Sequence, residues 1–416
     1  MEDEEKFRLR VREFLSAHAS RVDSAGLTAE NAVRFVRQSD EDRVARAKEW
    51  QGALFEARLA GLTWPVEYGG QGLPARYQSI FNEEASEYEQ PATNIFAVGF
   101  GMCIPTVLAH GTEELKKRYV PPAAKGEELW CQFFSEPGAG SDLAGLQTRA
   151  VQDGDEWIVN GQKVWTSGAH HSDYALLLAR TNVDVPKHVG LTMFVVDVRA
   201  NGITIRPLRQ INGDANFNEV FFDDVHIPNS HVLADVNKGW QVAITTLMNE
   251  RTSIGAGQSA AEKPLLENIA KQVAIARDRG IVNEGWVRQE LADLFINSKV
   301  LDLVGLSIRE LSAAGRAPGP EGSIAKLLNG RVSMQAAHLS MKLAGSSAIA
   351  WPVDHPEDSG LSYAMLSWPA QTIGGGTTEV MLNIIGERML GLPGEPRVDR
   401  DLPFKDLKVG TQSRSV

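Results

Sequence analysis

The sequence has little of what marks secreted, zinc-binding or membrane-spanning proteins. Its 416 residues include only two cysteines, Cys103 and Cys131, and neither sits in a CxxC pair or a Cys/His spacing typical of zinc sites. No apolar run approaches the length of a membrane span, and no hydrophobic region follows the acidic start Met1 to Glu5. We therefore expect a reduced, cytoplasmic protein without a structural metal.

Excess positive charge is also lacking. The formal net charge of −11 argues against a general binder of nucleic acid or membrane surfaces, although a local basic pocket for a polyanionic ligand remains compatible with it. The common nucleotide and hydrolase signatures are missing too, because Gly138-Ala-Gly140 follows a proline and lacks the third glycine of a Rossmann loop. What is present is a 43% apolar fraction, enough for a large buried core.

The hydrophobic pattern changes twice along the chain, from helical to strand-rich and back to helical. We therefore predict an α+β multidomain fold with a helical N-terminal domain, a compact β-barrel or sandwich in the middle and a C-terminal helix bundle. The predicted boundaries are 1–129, 130–239 and 240–392, with a polar tail over 393–416 that either dangles or covers a neighbour.

Two local patterns in the middle region bear on its structure. Asn160-Gly161 lies between two strand-like runs and predicts a two-residue hairpin turn, because both residues tolerate positive φ angles. The pair His170-His171 could suggest a metal site. Neighbouring residues on a strand point in opposite directions and no third ligand is suitably spaced, so a structural or solvent-facing pair is favoured.

Five segments, in this order and at this spacing, resemble the acyl-CoA dehydrogenase family over nearly the whole chain. They are Gly61-Leu-Thr-Trp-Pro-Val-Glu-Tyr-Gly-Gly70, Ser135-Glu-Pro-Gly-Ala-Gly-Ser-Asp142, Asn160-Gly-Gln-Lys-Val-Trp-Thr-Ser-Gly168, Asn249-Glu-Arg251 and Gly374-Gly-Gly-Thr-Thr-Glu379. The second and third are the most specific. The resemblance implies a middle β-barrel, a C-terminal four-helix bundle and the dehydrogenation of an acyl-CoA thioester with FAD as cofactor.

The resemblance also assigns a flavin site. It implies that backbone groups around Phe133 and Ser135 bond the flavin, and that Trp165 shields the ring while the Ser167 hydroxyl bonds it. Gly376, Thr377 and Glu379 would add contacts from the start of the last helix. The simpler alternatives are a tight loop joining two domains at 135–142 and a core strand with a buried Trp165.

The α-proton needs a carboxylate base, which the family places at one of two sequence positions. The commoner position holds Gly375 here, whose backbone N–H would still bind the thioester carbonyl. The other, used by the isovaleryl-CoA and long-chain branches, matches Glu250. The resemblance therefore implies Glu250 as the base, Arg251 as a substrate anchor or salt-bridge partner, and Ser141 beside the acyl chain. A solvated surface acid is the alternative for Glu250.

One departure from the family pattern concerns the motif with which a family member binds the flavin pyrophosphate of a neighbouring subunit. The corresponding stretch, Ala276-Arg-Asp-Arg-Gly280, lacks the family's Phe, and a second loop reads Leu343-Ala-Gly-Ser-Ser347. The resemblance implies a homodimer or homotetramer in which Arg277 or Arg279 takes over the contact, or a heteromer in which a related subunit completes the site. It also implies an electron-transfer flavoprotein as electron acceptor.

Three other functions stay open. An acyl-CoA oxidase or a flavin monooxygenase could share this fold and differ in whether oxygen reaches the reduced flavin. A non-catalytic subunit could bind coenzyme A or a partner, since part of the flavin motif is altered. A helical scaffold without a ligand is the third, and the retained segment from Ser135 to Asp142 weighs against it.

Overall fold

We describe the chain from a computed structural model, which covers residues 2–21, 40–91, 93–255, 265–314, 319–349, 360–396 and 399–407. The chain divides into two compact units. The helical unit comprises 1–46, 73–93 and 251–393, and the β-rich unit comprises 47–72, 94–250 and 394–416. The predicted order of helical, strand-rich and helical regions is confirmed by the elements below.

The N-terminal part of the helical unit contains α1 (Glu4–His18), the start of α2 (Asp40–Glu56) and α3 (Ala75–Ala85). α1 presents Phe7, Val11 and Leu15 to its core, a spacing of four residues that places them on one face. Beside that face, Arg12 forms an ion pair of 2.6 Å with the buried carboxylate of Glu84 on α3. The apolar stripe and this ion pair hold α1 on α3.

The C-terminal helices of the same unit pack around one central helix. They are α7 (Leu265–Asp278), α8 (Gly285–Ala313), α9 (Glu321–Ala344), α10 (Gly360–Ser367) and α11 (Thr378–Arg388). α9 packs against the other four, and its buried residues include Val332, Leu339 and Leu343. On α8, Val287, Leu294 and Leu301 are buried. No helix within the described ranges is long and apolar enough to cross a membrane.

The β-rich unit combines one sheet with flanking helices. The helices are the rest of α2, α4 (Ile104–His110), α5 (Glu113–Lys125) and most of α6 (Gly239–Gly255). The strands are β1 (Trp130–Phe133), β2 (Arg149–Asp153), β3 (Glu156–Ser167), β4 (Tyr174–Arg180), β5 (Leu191–Asp197), β6 (Ile203–Leu208), β7 (Phe217–Pro228) and β8 (Val232–Leu233).

Strand pairing follows the order β6-β7-β3-β2-β4-β5-β8, and β1 pairs with β4 in parallel. β4 and β5 are buried almost throughout, which fits their continuous apolar sequences. The faces of the sheet carry two hydrophobic clusters, one of which includes residues of α4, α5 and α6. These helices therefore cover one face of the sheet.

The hairpin predicted at Asn160-Gly161 is wrong. β3 runs continuously through both residues, and its turn with β2 lies earlier, at Gly154, where φ is +58°. At Gly161 the pairing with β7 shifts register in a β-bulge, and φ is +151°. A Cβ there would lie 2.7 Å from the Cα of Thr148. Glycine is required by this close approach and not by a hairpin turn.

The tail predicted to dangle or to cover a neighbour is ordered against its own chain over residues 399–407, which we call the C-terminal strap. Phe404 is 3% exposed, and its N–H donates to the carbonyl of Val185 at 2.9 Å. The N–H of Lys405 donates to the carbonyl of Val183 at 3.0 Å. The strap therefore forms part of the β-rich unit.

Candidate active site

The structure brings the segment 135–142 and strand β3 together at one edge of the β-rich unit. The N–H of Val164 donates to the carbonyl of Ser135 at 2.9 Å, and the Lys163 ammonium donates to the carbonyl of Phe134 at 2.8 Å. Phe133 is fully buried at the end of β1, whereas Ser135 is half-buried. The predicted flavin contacts from these two segments are thus neighbours.

An ion pair that the sequence did not single out lies beneath this edge. Lys163 and Glu136 are both buried, and Lys163 Nζ donates to Glu136 Oε1 at 2.9 Å. The same carboxylate accepts from the N–H groups of Gln147 and Thr148 at 2.6 and 2.8 Å. Burial opposes the charge of Glu136, but Lys163 and these N–H groups together lower its pKa. The loop is therefore anchored from below by a charged carboxylate.

The exposure of Trp165 is unusual for its size. The side chain is 61% exposed, and the residue adopts φ +59° where β3 shifts register against β7. A non-glycine residue in the left-handed region stores strain and often marks a functional position. The alternative of a buried core tryptophan is wrong, because the bulge turns the ring outward.

The surroundings of Trp165 suit a flat ring with polar edges. The exposed Ser167 lies two residues along β3, and the buried Thr166 Oγ1 has no hydrogen-bond partner within the described residues. The rings of Phe217 and Trp165 pack edge to face, with 6.0 Å between their centroids. A flavin has a flat ring that can stack on the exposed face of Trp165, and polar edges that can bond the Ser167 hydroxyl and Thr166 Oγ1. The residues present are therefore compatible with that cofactor.

Glu250 faces the interior of the β-rich unit. It is 9% exposed and lies one turn after the fully buried Thr246, whose hydroxyl is 3.0 Å from that of Thr106. One turn earlier, Val242 belongs to the hydrophobic core. Besides burial, the charge of Glu250 contributes to raising the pKa of the Cys103 thiol. Glu250 is therefore not the solvated surface acid that its spacing allowed.

The structure places the remaining predicted substrate contacts as follows. Ser141 is exposed at the end of the 135–142 loop, next to Asp142, whose carboxylate bonds Lys187 at 3.0 Å. The side chain of Arg251 lies outside the described residues. Gly375 belongs to the helical unit, whereas Glu250 and Ser141 belong to the β-rich unit.

The loop before α11 has a backbone that requires glycine. Gly375 and Gly376 adopt φ +68° and +97°, and a Cβ on Gly376 would meet the Met381 side chain at 2.5 Å. Thr377 caps α11, its hydroxyl accepting from the Val380 N–H at 3.2 Å, and Glu379 is exposed in the first turn. The Thr377 hydroxyl is thus already bonded to the backbone of its own helix.

A buried lysine holds this loop, and sequence reasoning missed it. Lys326 on α9 donates to the carbonyls of Gln371 at 2.9 Å and Gly376 at 2.5 Å. A charged ammonium that donates to two carbonyl oxygens fixes their relative positions. The only sequence signal was a lysine among apolar residues of a helix, which does not indicate a function.

The two stretches that depart from the family pattern lie together in the helical unit. Arg279 Nη1 donates to the Leu343 carbonyl at 2.7 Å. Gly345 adopts φ +65°, and a Cβ there would lie 2.4 Å from the same Nη1. Arg277 is exposed at the end of α7. Arg279 and the second loop are therefore in direct contact within the helical unit.

Two other features of the described residues lie apart from the predicted sites. His170 and His171 contact each other, and His170 bonds the Asn218 amide at 3.0 Å. No group of three or more potential metal ligands occurs in the described part of the chain. A cavity of about 480 Å³ between α8 and α9 is lined by Glu290, Arg331 and Lys342 among others, and no predicted site residue lines it.

Comparison with known proteins decides the family. Residues 1–127, 131–225 and 237–390 match the N-terminal, middle and C-terminal domains of acyl-CoA dehydrogenase. The acyl-CoA dehydrogenase IpdE1 of Mycobacterium tuberculosis is 36% identical over 397 residues, which are 95% of this chain and 100% of that protein. The chain belongs to the acyl-CoA dehydrogenase family. The resemblance drawn from the five segments is thereby confirmed.

Two further similar proteins also carry names of the acyl-CoA dehydrogenase family. FadE34 of M. tuberculosis, also named an acyl-CoA dehydrogenase, is 39% identical over 346 residues, 82% of this chain and 46% of FadE34. The chain thus spans less than half of that relative. A solved structure titled Tcur3481-Tcur3483 steroid ACAD matches with a TM-score of 0.76 and 25% identity, covering 95% of this chain and 99% of the other. Proteins with these names are oxidoreductases.

Proposed function

We propose that this chain catalyses the FAD-dependent α,β-dehydrogenation of an acyl-CoA thioester to a 2-enoyl-CoA, with Glu250 as the base. The burial of Glu250 carries the proposal. A thioester α-proton is weakly acidic, so its removal needs a carboxylate screened from water and close to the substrate. Gly375 occupies the other position that the family uses for a base, and glycine has no side chain to offer.

The proposed cofactor is FAD, bound without a covalent bond. Backbone groups of Phe133 and Ser135, the Trp165 ring and the Ser167 hydroxyl would hold it. By the family resemblance, Gly376, Thr377 and Glu379 would also contact it. Bound flavin supplies the acceptor for the β-hydride. The outward turn of Trp165 supports this assignment, because it exposes a large aromatic face at a cost in backbone strain.

The chain's own groups would orient the substrate and move its proton. Glu250 removes the α-proton, and the N–H of Gly375 donates to the thioester carbonyl so that developing negative charge is stabilised. Ser141 lies beside the acyl chain, and Arg251 anchors the substrate or orients the base. Because the carbonyl contact comes from the backbone, Gly375 can supply it without a side chain.

For the substrate class, we propose thioesters with a steroid-derived acyl chain ahead of linear fatty acyl chains. The support is the similarity to the structure titled a steroid ACAD. For electron transfer we propose an electron-transfer flavoprotein, which would reoxidise the bound flavin. An oxidase would instead pass electrons to oxygen and release peroxide.

The experiment is a spectrum of the purified chain followed by anaerobic titration with a panel of acyl-CoA thioesters. We expect a yellow protein whose flavin absorbance falls with steroid-derived thioesters, and slow reoxidation in air while product is bound. Rapid reoxidation with peroxide would assign an oxidase instead. A flavin-loaded protein that no acyl-CoA bleaches would contradict the dehydrogenase proposal.

A second candidate is one subunit of a heteromeric acyl-CoA dehydrogenase, and Arg279 favours it. One donor of this guanidinium is already bonded to Leu343 within the chain, so fewer are left to grip a pyrophosphate across a subunit interface. Purification alone and with the product of a neighbouring gene distinguishes the two. Full flavin content and a homo-oligomer from the chain alone would contradict the heteromer, whereas a colourless chain that gains flavin only with its partner would support it.

A further inference from the structure

The C-terminal strap contacts Arg180, a residue of β4 that also bonds the chain just after the 135–142 loop. Phe404 lies over the guanidinium of Arg180, with the Cζ of Arg180 3.7 Å from the ring centroid. Arg180, at the end of β4, is among the largest fully buried side chains of the described residues. A buried cation against an aromatic face gains more than an exposed one, because water no longer competes. The ring therefore covers one face of this buried guanidinium.

The other side of Arg180 holds the chain that follows the loop. Its Nη2 donates to the carbonyl of Ala144 at 2.5 Å, and its Nη1 donates to the carbonyl of Lys187 at 2.6 Å. The backbone N–H of Arg180 also donates to the carbonyl of Thr148 at 2.7 Å. Arg180 thus fixes the backbone just after Asp142 from a rigid strand, with the strap closing over it.

A second connection runs through Lys187. Its ammonium bonds the carboxylate of Asp142 at 3.0 Å and that of Asp399 at 2.6 Å, and the Lys187 side chain is largely buried. Asp142 ends the 135–142 loop, and Asp399 begins the strap. Two separate contacts, one aromatic and one ionic, therefore join the strap to the segment that carries the loop.

We propose that the strap positions the 135–142 loop for its ligand, with Phe404 and Asp399 acting through Arg180 and Lys187. They are positioning residues, since neither is assigned a contact with cofactor or substrate. The inference rests on the proposed function only for the identity of the ligand, FAD. The start of the loop is held by Glu136 and by the bond from the Val164 N–H to the Ser135 carbonyl. Its other end, the segment from Asp142 to Leu146, is held by Arg180 and Lys187.

The test uses the full chain with Phe404→Ala and Asp399→Asn, and Lys405→Gln as matched control. Lys405 lies on the same strap but pairs with Asp184 at 2.9 Å, away from Arg180 and Lys187. Hydrogen exchange of peptides covering 135–148 is measured by mass spectrometry, together with the Kd for FAD. We expect Phe404→Ala to speed exchange there and to weaken FAD binding, each about tenfold, with Lys405→Gln unchanged. Phe404→Trp should restore both.

The inference is overturned if Phe404→Ala and Asp399→Asn leave exchange over 135–148 as slow as in the control. If Phe404→Ala does not fold, Asp399→Asn decides alone, since it removes only the ionic contact. Failure of the proposed function looks different: the unaltered chain would not bind FAD, while the exchange comparison would still stand. Faster exchange throughout both units, without selectivity for 135–148, would also contradict a positioning role.

Discussion

Lys163 and Glu136 form a buried ion pair beneath the 135–142 loop, with 2.9 Å between Nζ and Oε1. Both residues lie within the two most specific segments of the sequence, three positions or fewer from predicted flavin contacts. The pair therefore couples the stability of the β-rich unit to the geometry of its candidate site.

Replacing Lys163 with Met should leave the Glu136 carboxylate buried without a cation, at a cost of about 3–5 kcal/mol at neutral pH. In the unaltered protein the pKa of Glu136 is lowered, so its contribution is present above the unfolded pKa and is lost as pH falls through the folded pKa. In the variant the neutral acid is favoured instead. The destabilisation of the variant relative to the unaltered protein should therefore be smaller at pH 5 than at pH 7, as measured by urea unfolding.

The double variant Lys163→Met with Glu136→Gln is the control, because it removes both charges. It should be less destabilised at neutral pH than Lys163→Met alone. A single variant whose loss is the same at both pH values would rule out this role for the ion pair.

Replacing Gly161 with Ala should destabilise the β-rich unit by about 1–3 kcal/mol, because the new methyl group would collide with Thr148. Gly154→Ala is the matched control: it also has positive φ, but a Cβ there has no atom within 4 Å. The control should lose only about 1 kcal/mol from backbone strain. Equal losses in urea unfolding would show that close packing at the bulge is unimportant.

Replacing Lys326 with Met should loosen the loop that contains Gly375, because two carbonyls lose their shared charged donor. We expect kcat/KM with an artificial electron acceptor to fall at least about tenfold, as loss of a charged hydrogen bond suggests. Lys342→Met, on the same helix, removes only an exposed ion pair with Glu290 and should act as wild type. Identical kinetics for the two variants would contradict a role of Lys326 in holding the loop.

Replacing Trp165 with Gly should separate stability from binding. Glycine relieves the left-handed strain at φ +59° and removes a mostly exposed side chain, so the flavin-free protein should gain about 1 kcal/mol of stability. FAD binding should weaken because the aromatic face is lost. Thermal unfolding of the apoprotein and FAD titration measure the two effects. A variant that binds FAD as tightly as wild type would remove Trp165 from the site.

Secondary structure was predictable where apolar residues recur at a regular spacing. Val287, Leu294 and Leu301 follow one another along α8 at intervals of two helical turns and are buried, as expected of a long amphipathic helix. The family was recognisable because its motifs are short, ordered and unusual in composition. β4 and β5 are largely apolar in sequence and are buried almost throughout.

What failed depended on contacts between distant parts of the chain. Asn160-Gly161 has the composition of a hairpin turn, but the close approach of Thr148 and the pairing with β7 made it a bulge. The strap reads as a polar tail, because a single Phe404 gives no periodicity and its partner Arg180 is far away in sequence. Lys326 was missed for the same reason: its carbonyl partners follow it by 45 and 50 positions.

The most direct test of the account is the rate of flavin reduction by Glu250→Gln under anaerobic conditions, measured by stopped flow with the acyl-CoA that bleaches the wild-type protein. Gln keeps the size and polarity of the side chain but cannot take a proton, so FAD content and acyl-CoA binding should persist while reduction slows by about 10³-fold or more. Adding Gly375→Glu should restore part of the rate, limited by strain at φ +68°. Reduction of the flavin by Glu250→Gln at close to the wild-type rate would contradict Glu250 as the base.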